Sequence, residues 1–576
     1  MGKITFRTAS SKKNVFDRSS MHITTLDFSR PIVSNFLPVT RGDSVHVRLN
    51  QFMRLSPLAV PTYGNFKLVT RAFFTPMRLL SSNWHDFMAQ MKGSTERSLP
   101  WTTVSRIVDT IVDNYTIAGT SDHYDFVLHG SSGVAYYILT DKGRAFVSLL
   151  NSLGYEFNFS LSDKTGVSLM PMLAYLRVFY DVMYPTRYLD ASVWGPLFTL
   201  YSYKEESDAQ IILTSFEDTL NVFYENDFFV ECWKSFNSAN GLNPINNLSN
   251  DQFTVRDISV GGTTRSLVVD SGSVRINATP NKENTAVSTI SSYGHRLLDA
   301  LSDFTLRNNL AGSRFLEYIK AHFGFTTSSE NEQYTQYLGS YVHNTNIMDV
   351  TSTAETTGTD GDVLGAQAGK GYINGDGKLS YDCKEHGYIL FVTMLMPSYG
   401  YYQGLKPWCL HKTSPLDYYT PEMDSLGNEA IPNCFVYADY KDDSQYTNGD
   451  KHGGKPLNVF GFAPRYAFEY KTGHDFLTGD FRFNSRNVGL NSFHTFREID
   501  PPSPSKPLVQ GISFATVDNQ YDRVFSSNYQ RSDSSNYDHF IGYFQFNIKV
   551  YSNMLSISQS LPFYEDEGRE VTVAKQ

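Results

Sequence analysis

One segment near the C-terminus constrains the fold more than any other feature of the chain. Residues 544–551 (FQFNIKVY) alternate strictly between apolar and polar side chains. Successive side chains of a strand point to opposite faces, so this pattern predicts a strand with one buried and one solvated face. A helix would instead place its apolar residues three and four positions apart.

Three further segments indicate strands. Residues 45–49 alternate in the same way, and the β-rich run at 66–74 is stopped by Pro76. Residues 388–397 (YILFVTMLMP) form an unbroken apolar run. That run is too short to span a membrane and is typical of a strand buried on both faces.

Composition agrees with a large β-rich core. Aromatic residues make up 14% of the 576 residues, as 37 Tyr, 41 Phe and 5 Trp. Charged residues make up only 19%, below the usual quarter. These values exclude a disordered chain and a long coiled coil. Aromatic side chains favour strands and supply many candidates for buried anchors.

Helices and long loops are predicted between the strands. Apolar spacing predicts helices at 104–111, 170–184 and 315–323, with Gly324 as a C-cap, and another through Leu297, Leu301 and Phe304. Composition predicts long loops at 351–380, 441–456 and 500–507. The order lacks the alternation of a parallel α/β fold and indicates an antiparallel sandwich with enlarged loops.

The net charge of −10 gives no overall sign of a nucleic-acid binder, so any such binding must be local. Residues 1–20 form a polar, basic arm in which one acid, Asp17, faces five basic residues: Lys3, Arg7, Lys12, Lys13 and Arg18. These five are the candidate DNA-binding residues, and Phe6 and Phe16 could stack on bases. A solvated, frayed terminus explains the same composition equally well.

The sequence contains none of the motifs that usually mark a catalytic or nucleotide-binding centre. GxxxxGK[ST], GxGxxG, GxSxG, HExxH and CxxC are all absent. Residues 374–382 imitate a calcium loop but lack its end ligands, which favours a glycine-rich turn. Cys409 with His411 is an isolated pair, and Glu385 and His386 would point to opposite faces of a strand. We expect no enzymatic activity, no metal and no cofactor.

The sequence lacks a disulfide framework, a signal core and a membrane-spanning run, and this limits the expected cellular location of the protein. The cysteines at 232, 383, 409 and 434 form no disulfide framework, which favours a reducing compartment. The first residues lack an apolar signal core, and no run of 18 apolar residues occurs. A soluble protein made in the cytoplasm is therefore expected.

The C-terminal half carries motifs of a known family. In order along the chain they are Lys384–Ile389, Tyr401–Leu405, Leu416–Pro421, Leu426–Glu429, Phe460–Phe462, Arg465–Tyr466, Glu469–Lys471 and Thr478–Arg482. Weaker matches upstream are Asn14–Ser19, Thr75–Leu79, Met172–Tyr175, Gly312–Glu317, His322–Gly324 and Tyr337–Ser340. In this order the segments resemble the major capsid protein of the Microviridae, small single-stranded DNA bacteriophages, and the gokushovirus-like members most.

The resemblance implies a fold, a role and partners. The fold would be mainly β: an eight-stranded antiparallel jelly roll over residues 21–576, with partly helical insertions near 85–170, 190–295, 351–380 and 441–456. The role would be structural, as a T=1 icosahedral shell around circular single-stranded DNA. Its partners would be further copies, the genome, a small basic DNA-binding protein and other phage structural proteins. The protein would then belong to the virion, assembled in the bacterial cytoplasm.

Some matches are imperfect, and some roles stay open. Phe315 stands where the family usually has Tyr, and Gln336 where it usually has Glu. Residues 93–168 and 190–295 match poorly. The loop at 241–290 or the one at 351–380 could project outward and bind a host receptor, for which the sequence names no ligand.

Two other classes of protein share the aromatic content. An extracellular carbohydrate-binding or glycosidase β-protein would stack sugars on aromatic rings and use paired acids. Acids such as Asp417, Glu422 and Asp424 exist, but nothing in the sequence fixes their separation. An outer-membrane protein would need a signal peptide and evenly spaced strands of about ten residues. The start of the chain fits neither class.

Overall fold

The structure is a computed structural model of the whole chain. It describes residues 13–55, 64–89, 99–118, 126–130, 133–155, 165–189, 208–234, 255–260, 263–270, 273–276, 300, 303–304, 307–308, 314–324, 334–351, 367–424, 428–438, 457–482, 496–500, 508–517, 521, 524–525 and 538–554.

Strands form most of the framework among the described residues. In the first part of the chain they are β1 Asn14–Asp17, β2 Ser20–Leu26, β3 Ile32–Val39, β4 Ser44–Leu55, β5 Phe66–Pro76, β6 Trp101–Thr103, β7 Thr116–Ala118, β8 Phe126–Gly130, β9 Gly133–Leu139 and β10 Gly166–Ser168. In the second part they are β11 Val255–Val260, β12 Thr263–Asp270, β13 Ser273–Ile276, β14 Gln336–Asn344, β15 Asn346–Thr351, β16 Gln367–Asp382, β17 Gly387–Pro397, β18 Asn428–Pro432, β19 Val459–Pro464 and β20 Phe540–Ser552.

Helices lie between these strands. The α-helices are α1 Trp84–Ala89, α2 Val104–Tyr115, α3 Asp141–Ser152, α4 Met170–Val178, α5 Ala209–Glu217, α6 Phe315–Phe323 and α7 Ile512–Ala515. Two π-helical turns cover Phe179–Met183 and Ala467–Lys471. Single 3-10 turns cover Met77–Leu79, Thr186–Tyr188, Asp218–Leu220, Pro407–Cys409, Pro415–Asp417, Pro421–Met423, Asn433–Phe435 and Gly479–Arg482.

Two antiparallel sheets organise the fold. The first, called sheet I, has the order β1–β20–β4–β16–β15, and β2 also pairs with β20. The second, called sheet II, has the order β14–β5–β17–β3. Except for β15 and β16, neighbouring strands in both sheets are far apart in the sequence, so crossing connections link one sheet to the other.

The inner faces of the two sheets meet in a shared core. Phe391 of β17 lies against Phe546 of β20, with ring centroids 5.1 Å apart. One end of the core is closed by Phe28, whose ring lies 5.8 Å from Phe66 and 5.2 Å from Phe540. A buried polar contact also crosses the core, where the Thr70 hydroxyl donates to Oε1 of Gln51 at 3.0 Å.

The outer faces of the two sheets differ. Along β17 every residue except Tyr388 is buried, because sheet I covers one side and α4 packs on the other, while α3 packs on the neighbouring β3. Along β4 and β20 buried and solvated residues alternate. Sheet I therefore keeps one open face, and sheet II lies between sheet I and a helical layer.

Most of the strand and helix predictions are confirmed. The four predicted strands are β4, β5, β17 and β20, and β17 is buried on both faces as expected. The helices predicted at 104–111 and 315–323 are α2 and α6, and Gly324 caps α6 with a φ of 71°. The helix predicted at 170–184 is α4 followed by a π turn. Leu297 and Leu301 lie outside the described residues.

The loop predicted at 351–380 is wrong for residues 367–380, which belong to β16, and for Thr351, which ends β15. The glycine-rich turn predicted at 374–382 is wrong for the same reason. A Cβ on Gly375 would lie 2.3 Å from the His343 ring, and one on Gly377 would lie 2.1 Å from the Tyr341 ring. These glycines let β14 side chains pack on the β16 backbone. Residues 441–456 lie outside the described residues.

Candidate nucleic-acid interface

The open face of sheet I carries an apolar row at its centre. Phe52 of β4 pairs in register with Tyr543 of β20, and Tyr543 pairs in turn with Ile23 of β2. Their exposed fractions are 43%, 36% and 60%. Met21 and Ile541 extend the same patch. Side chains in register on neighbouring strands lie close together, so these residues form one continuous exposed surface.

Basic side chains border this row. Arg48 of β4 lies directly opposite Lys378 of β16, and Arg54 and Lys549 are also exposed on this face. Like charges placed opposite each other destabilise a sheet. Within the described residues, neither Arg48 nor Lys378 forms an ion pair. An external anion would relieve this repulsion.

Acids also occur on the open face, but they lie toward the side of β16 and at β1. Asp376 and Asp382 are exposed on β16, and Asp17 is exposed on β1 opposite Lys549. Near the centre of the face, the rings of Phe52 and Tyr543 lie beside basic groups of β4, Arg48 and Arg54. Aromatic and basic groups together are the combination that binds single-stranded nucleic acid.

The predicted basic arm leads into this face. Lys13 Nζ donates to the Ser44 hydroxyl at 2.9 Å, at the start of β4. Arg18 donates from Nη1 to the Pro38 carbonyl at 2.7 Å, and burial lowers its pKa. Lys13 is thus exposed at the sheet edge, whereas Arg18 anchors the chain to β3. The other three candidates, Lys3, Arg7 and Lys12, lie outside the described residues.

The structure revises which aromatic residues are candidates for stacking on bases. Phe16 is half-buried in β1 and pairs in register with the buried Val550, so it faces the inner side of the sheet. Phe6 lies outside the described residues. Phe52 and Tyr543, which were not among the candidates, occupy the open face instead. The sequence held one sign of this. In 44–55 the solvated positions alternate with buried ones, and all of the solvated positions are polar except Phe52.

A second cluster joins charged and aromatic groups, but it is buried. Arg497 is 5% exposed and donates from Nη1 to the Tyr401 hydroxyl at 2.8 Å. That hydroxyl donates to Oδ2 of Asp227 at 2.9 Å. The Arg497 guanidinium also lies over the rings of Phe514 and Tyr224, at 4.0 and 4.2 Å from their centres. Burial raises the pKa of Asp227 and of Tyr401. The cluster fastens residues 496–500 and 508–517 to the rest of the fold.

The other residues considered for chemistry have structural roles or stand alone. Glu385 lies in the turn between β16 and β17, not in a strand, and accepts from Arg78 Nε at 2.7 Å. Asp417 caps a 3-10 turn, and the backbone N–H groups of Ser414 and Thr413 lower the pKa of Asp417. Cys409 is an exposed free thiol. Within the described ranges, no three His, Cys, Asp or Glu side chains could together hold a metal ion.

The described part of the chain has no helix long and apolar enough to cross a bilayer. It is a mainly β protein with antiparallel sheets, a filled core and a broad exposed face.

Comparison with known proteins gives the family. The family model described as capsid protein (F protein) matches residues 5–126 and 241–561. Capsid protein VP1 of Chlamydia phage 1 is 25% identical over 573 residues, which cover 87% of this chain and 90% of that protein. Capsid protein VP1 of Bdellovibrio phage phiMH2K is 27% identical over 176 residues, or 30% of each chain. The chain belongs to the capsid protein (F protein) family of the Microviridae, and its role is that of a structural capsid protein of the virion.

The gap within the family match, residues 127–240, contains α3, α4 and α5. Of these helices, α3 and α4 pack on sheet II. The helical layer over sheet II is therefore built largely from the segment that the family model does not match.

Proposed function

We propose that the chain is an eight-stranded jelly-roll subunit of a T=1 icosahedral shell that encloses circular single-stranded DNA. The observation that carries this proposal is the strand order. Four strands run β2–β20–β4–β16 in sheet I and four run β3–β17–β5–β14 in sheet II. This order supports a jelly roll, in which paired antiparallel strands wrap around a two-sheet core. The additional β1 and β15 extend sheet I.

The contacts between subunits are proposed to be apolar and aromatic. Each subunit carries a net charge of −10, so charge opposes association. Helix α6 leaves Phe315 and Phe323 each 61% exposed, and the exposed rings of Trp408 and Phe476 lie 6.0 Å apart. Exposed aromatic groups of this kind are enriched at the centres of protein interfaces.

The genome is proposed to lie against the open face of sheet I. Bases would stack on Phe52 and Tyr543, and phosphates would pair with Arg48, Arg54 and Lys378. The basic arm of residues 1–20, including Lys3, Arg7 and Lys12, would add further phosphate contacts. A small basic DNA-binding protein would neutralise the remaining charge, and other phage structural proteins would complete the virion. Assembly would take place in the host cytoplasm.

The segment 241–290 is the proposed host-attachment loop. Its described backbone forms the three-stranded antiparallel sheet β11–β12–β13. A small sheet outside the two main sheets supports an outward projection, because loops between framework strands tolerate such growth.

Shell formation is tested by changing the exposed face of α6. The double variant Phe315→Ser/Phe323→Ser is expected to stay folded and to give no particles, because it removes apolar contacts between copies but little of the subunit core. Negative-stain electron microscopy counts the particles, and thermal unfolding checks the fold. The matched control is Lys320→Ser on the same helix, which should still assemble. A wild-type protein that stays a monodisperse monomer under all conditions would contradict the proposal.

DNA contact is tested by fluorescence anisotropy of subunits with labelled oligo(dT) at fixed salt. The double variant Phe52→Ser/Tyr543→Ser is expected to bind at least tenfold more weakly, because stacking contributes about 1–3 kcal/mol per base. Phe476→Ser, an exposed ring beside Lys406, is the matched control and should bind as the wild type does. Equal losses in both variants would argue against the open face.

The role of the basic arm is tested separately. Removal of residues 1–13 should weaken DNA packaging, measured as the DNA content of particles, more than it weakens folding of the subunit, measured as its melting temperature.

A further inference from the structure

A cavity of about 400 Å³ lies on the outer side of sheet II, away from sheet I. Its floor is formed by strands β5 and β17, through Arg71 and Met394. Its walls are formed by the turn at Arg187 and Tyr188 and by Arg314, just before α6. The cavity is therefore separate from the open face of sheet I and does not depend on the function proposed for that face.

Hydrogen-bond donors in this cavity lack acceptors. Nη1 of Arg187, the Tyr188 hydroxyl and Nε of Arg314 are all buried, and they find no partner among the described residues. Arg314 is only 8% exposed, and its Nη2 is held by the carbonyls of Tyr180 and Tyr184 at 3.1 and 2.8 Å. These two hydrogen bonds hold the guanidinium in place, and Nε stays free to donate. Buried donors without partners are rare in native proteins and indicate a missing acceptor.

Most of the acids around the cavity already have partners. Glu317 pairs with Arg314 at 3.6 Å, and Glu225 pairs with Lys67 at 2.5 Å. Glu231 also lines the cavity and forms no ion pair among the described residues. Arg71 and Arg187 are likewise without ion pairs in the described part of the chain. The groups left to bind a ligand are therefore mainly donors and mainly cationic.

We propose that this cavity binds a phosphate group, supplied either by inorganic phosphate or by a nucleotide. Three guanidinium groups approach it from separate segments of the chain, and a guanidinium matches phosphate oxygens with paired N–H donors. A tetrahedral phosphate offers acceptors in several directions, whereas a carboxylate offers them in one plane. The cavity is larger than a phosphate, and Tyr184, Phe223 and Met396 supply aromatic and apolar walls on which a nucleoside could lie.

The neighbouring ring contacts support a formed site. The Arg187 guanidinium lies 5.0 Å from the centre of the Trp233 ring, which limits its movement. Burial lowers the pKa of Arg187, so a bound anion would offset the cost of burying this charge. Phe223 and Tyr184 pack edge to face at 5.5 Å. A ligand would thus meet side chains that are already positioned.

Isothermal titration calorimetry of the full chain with inorganic phosphate, dTMP and thymidine at constant ionic strength tests the proposal. Saturable phosphate binding with no binding of thymidine is the expected result. Tighter binding of dTMP than of phosphate, by tenfold or more, assigns the site to nucleotides. Equal binding of the two assigns it to free phosphate. The absence of saturable binding of both phosphate and dTMP would overturn the proposal.

Variants separate a binding site from general charge attraction. Arg187→Met should weaken phosphate binding at least tenfold, whereas Arg41→Met, at an exposed arginine in the turn before β4, should leave it unchanged. If Arg187→Met does not fold, Tyr188→Phe removes a single hydroxyl and should still weaken binding severalfold without a change in melting temperature. Unchanged affinity in Tyr188→Phe together with Arg187→Met, or an equal loss in Arg41→Met, would refute the site.

Discussion

Replacing Arg497 with Met should lower the free energy of unfolding by about 3–5 kcal/mol, because removing one partner of a buried charged network leaves the others uncompensated. The Tyr401 hydroxyl and the Phe514 carbonyl would each lose the donor that Arg497 provides. Asp227 would lose the positive charge that favours its ionised form. Denaturant unfolding followed by intrinsic fluorescence measures the change.

The loss should depend on pH in a defined direction. Burial raises the pKa of Asp227, so folding favours its protonated form, and this contribution disappears as pH rises above the ordinary carboxyl range. Without Arg497 this pKa rises further. The Arg497→Met variant should therefore be closer to the wild type at pH 4 than at pH 7. Arg41→Met, at an exposed arginine in the turn before β4, is the matched control and should change stability little. Similar losses in both variants would show that the buried network contributes no special stability.

Gly404→Ala should destabilise the subunit by about 3 kcal/mol or prevent its accumulation, because an added Cβ would overlap backbone atoms. That Cβ would lie 1.8 Å from the Phe435 carbonyl oxygen and 2.5 Å from its carbon. The two segments cannot easily move apart, since Leu405 N–H donates to the Cys434 carbonyl at 2.7 Å and Ala438 N–H donates to the Gln403 carbonyl at 3.0 Å.

Gly473→Ala is the matched control for this change. A Cβ on Gly473 would meet no heavy atom within 4 Å, so the variant should unfold and assemble as the wild type does. Melting temperature and particle yield are the two measurements. Wild-type behaviour of Gly404→Ala in both would mean that the 433–436 turn yields to the added methyl group.

Local pattern predicts the strands and helices that are buried on one or both faces against a large core. The alternation at 544–551 and the apolar run at 388–397 are of this kind, since burial is decided there by side chains within a few residues. The loop prediction is wrong for residues 367–380, because the reason for their glycines lies in distant parts of the chain. His343 and Tyr341 of β14 occupy the space where Cβ atoms would stand, and no short window of sequence contains that information.

The candidate interface was predictable only in part. A basic segment can be found by counting charges, which identifies Lys13 and its neighbours. The pairing of Phe52 with Tyr543 joins residues that are 491 positions apart, and it follows from the ladder between β4 and β20. The phosphate cavity depends on three chain segments meeting, so the spacing of its arginines in the sequence carries no signal.

The position of β20 within sheet I has a consequence for biosynthesis. This strand lies between the N-terminal strands β1 and β2 on one side and β4 on the other, yet it spans Phe540–Ser552. On the ribosome, the first strands emerge long before the strand that joins them. Contacts of such large sequence separation form slowly, because the chain entropy between them is lost first. The sheet that would face the genome can close only after Ser552 has emerged from the ribosome, which keeps shorter nascent chains from presenting a finished surface to their neighbours.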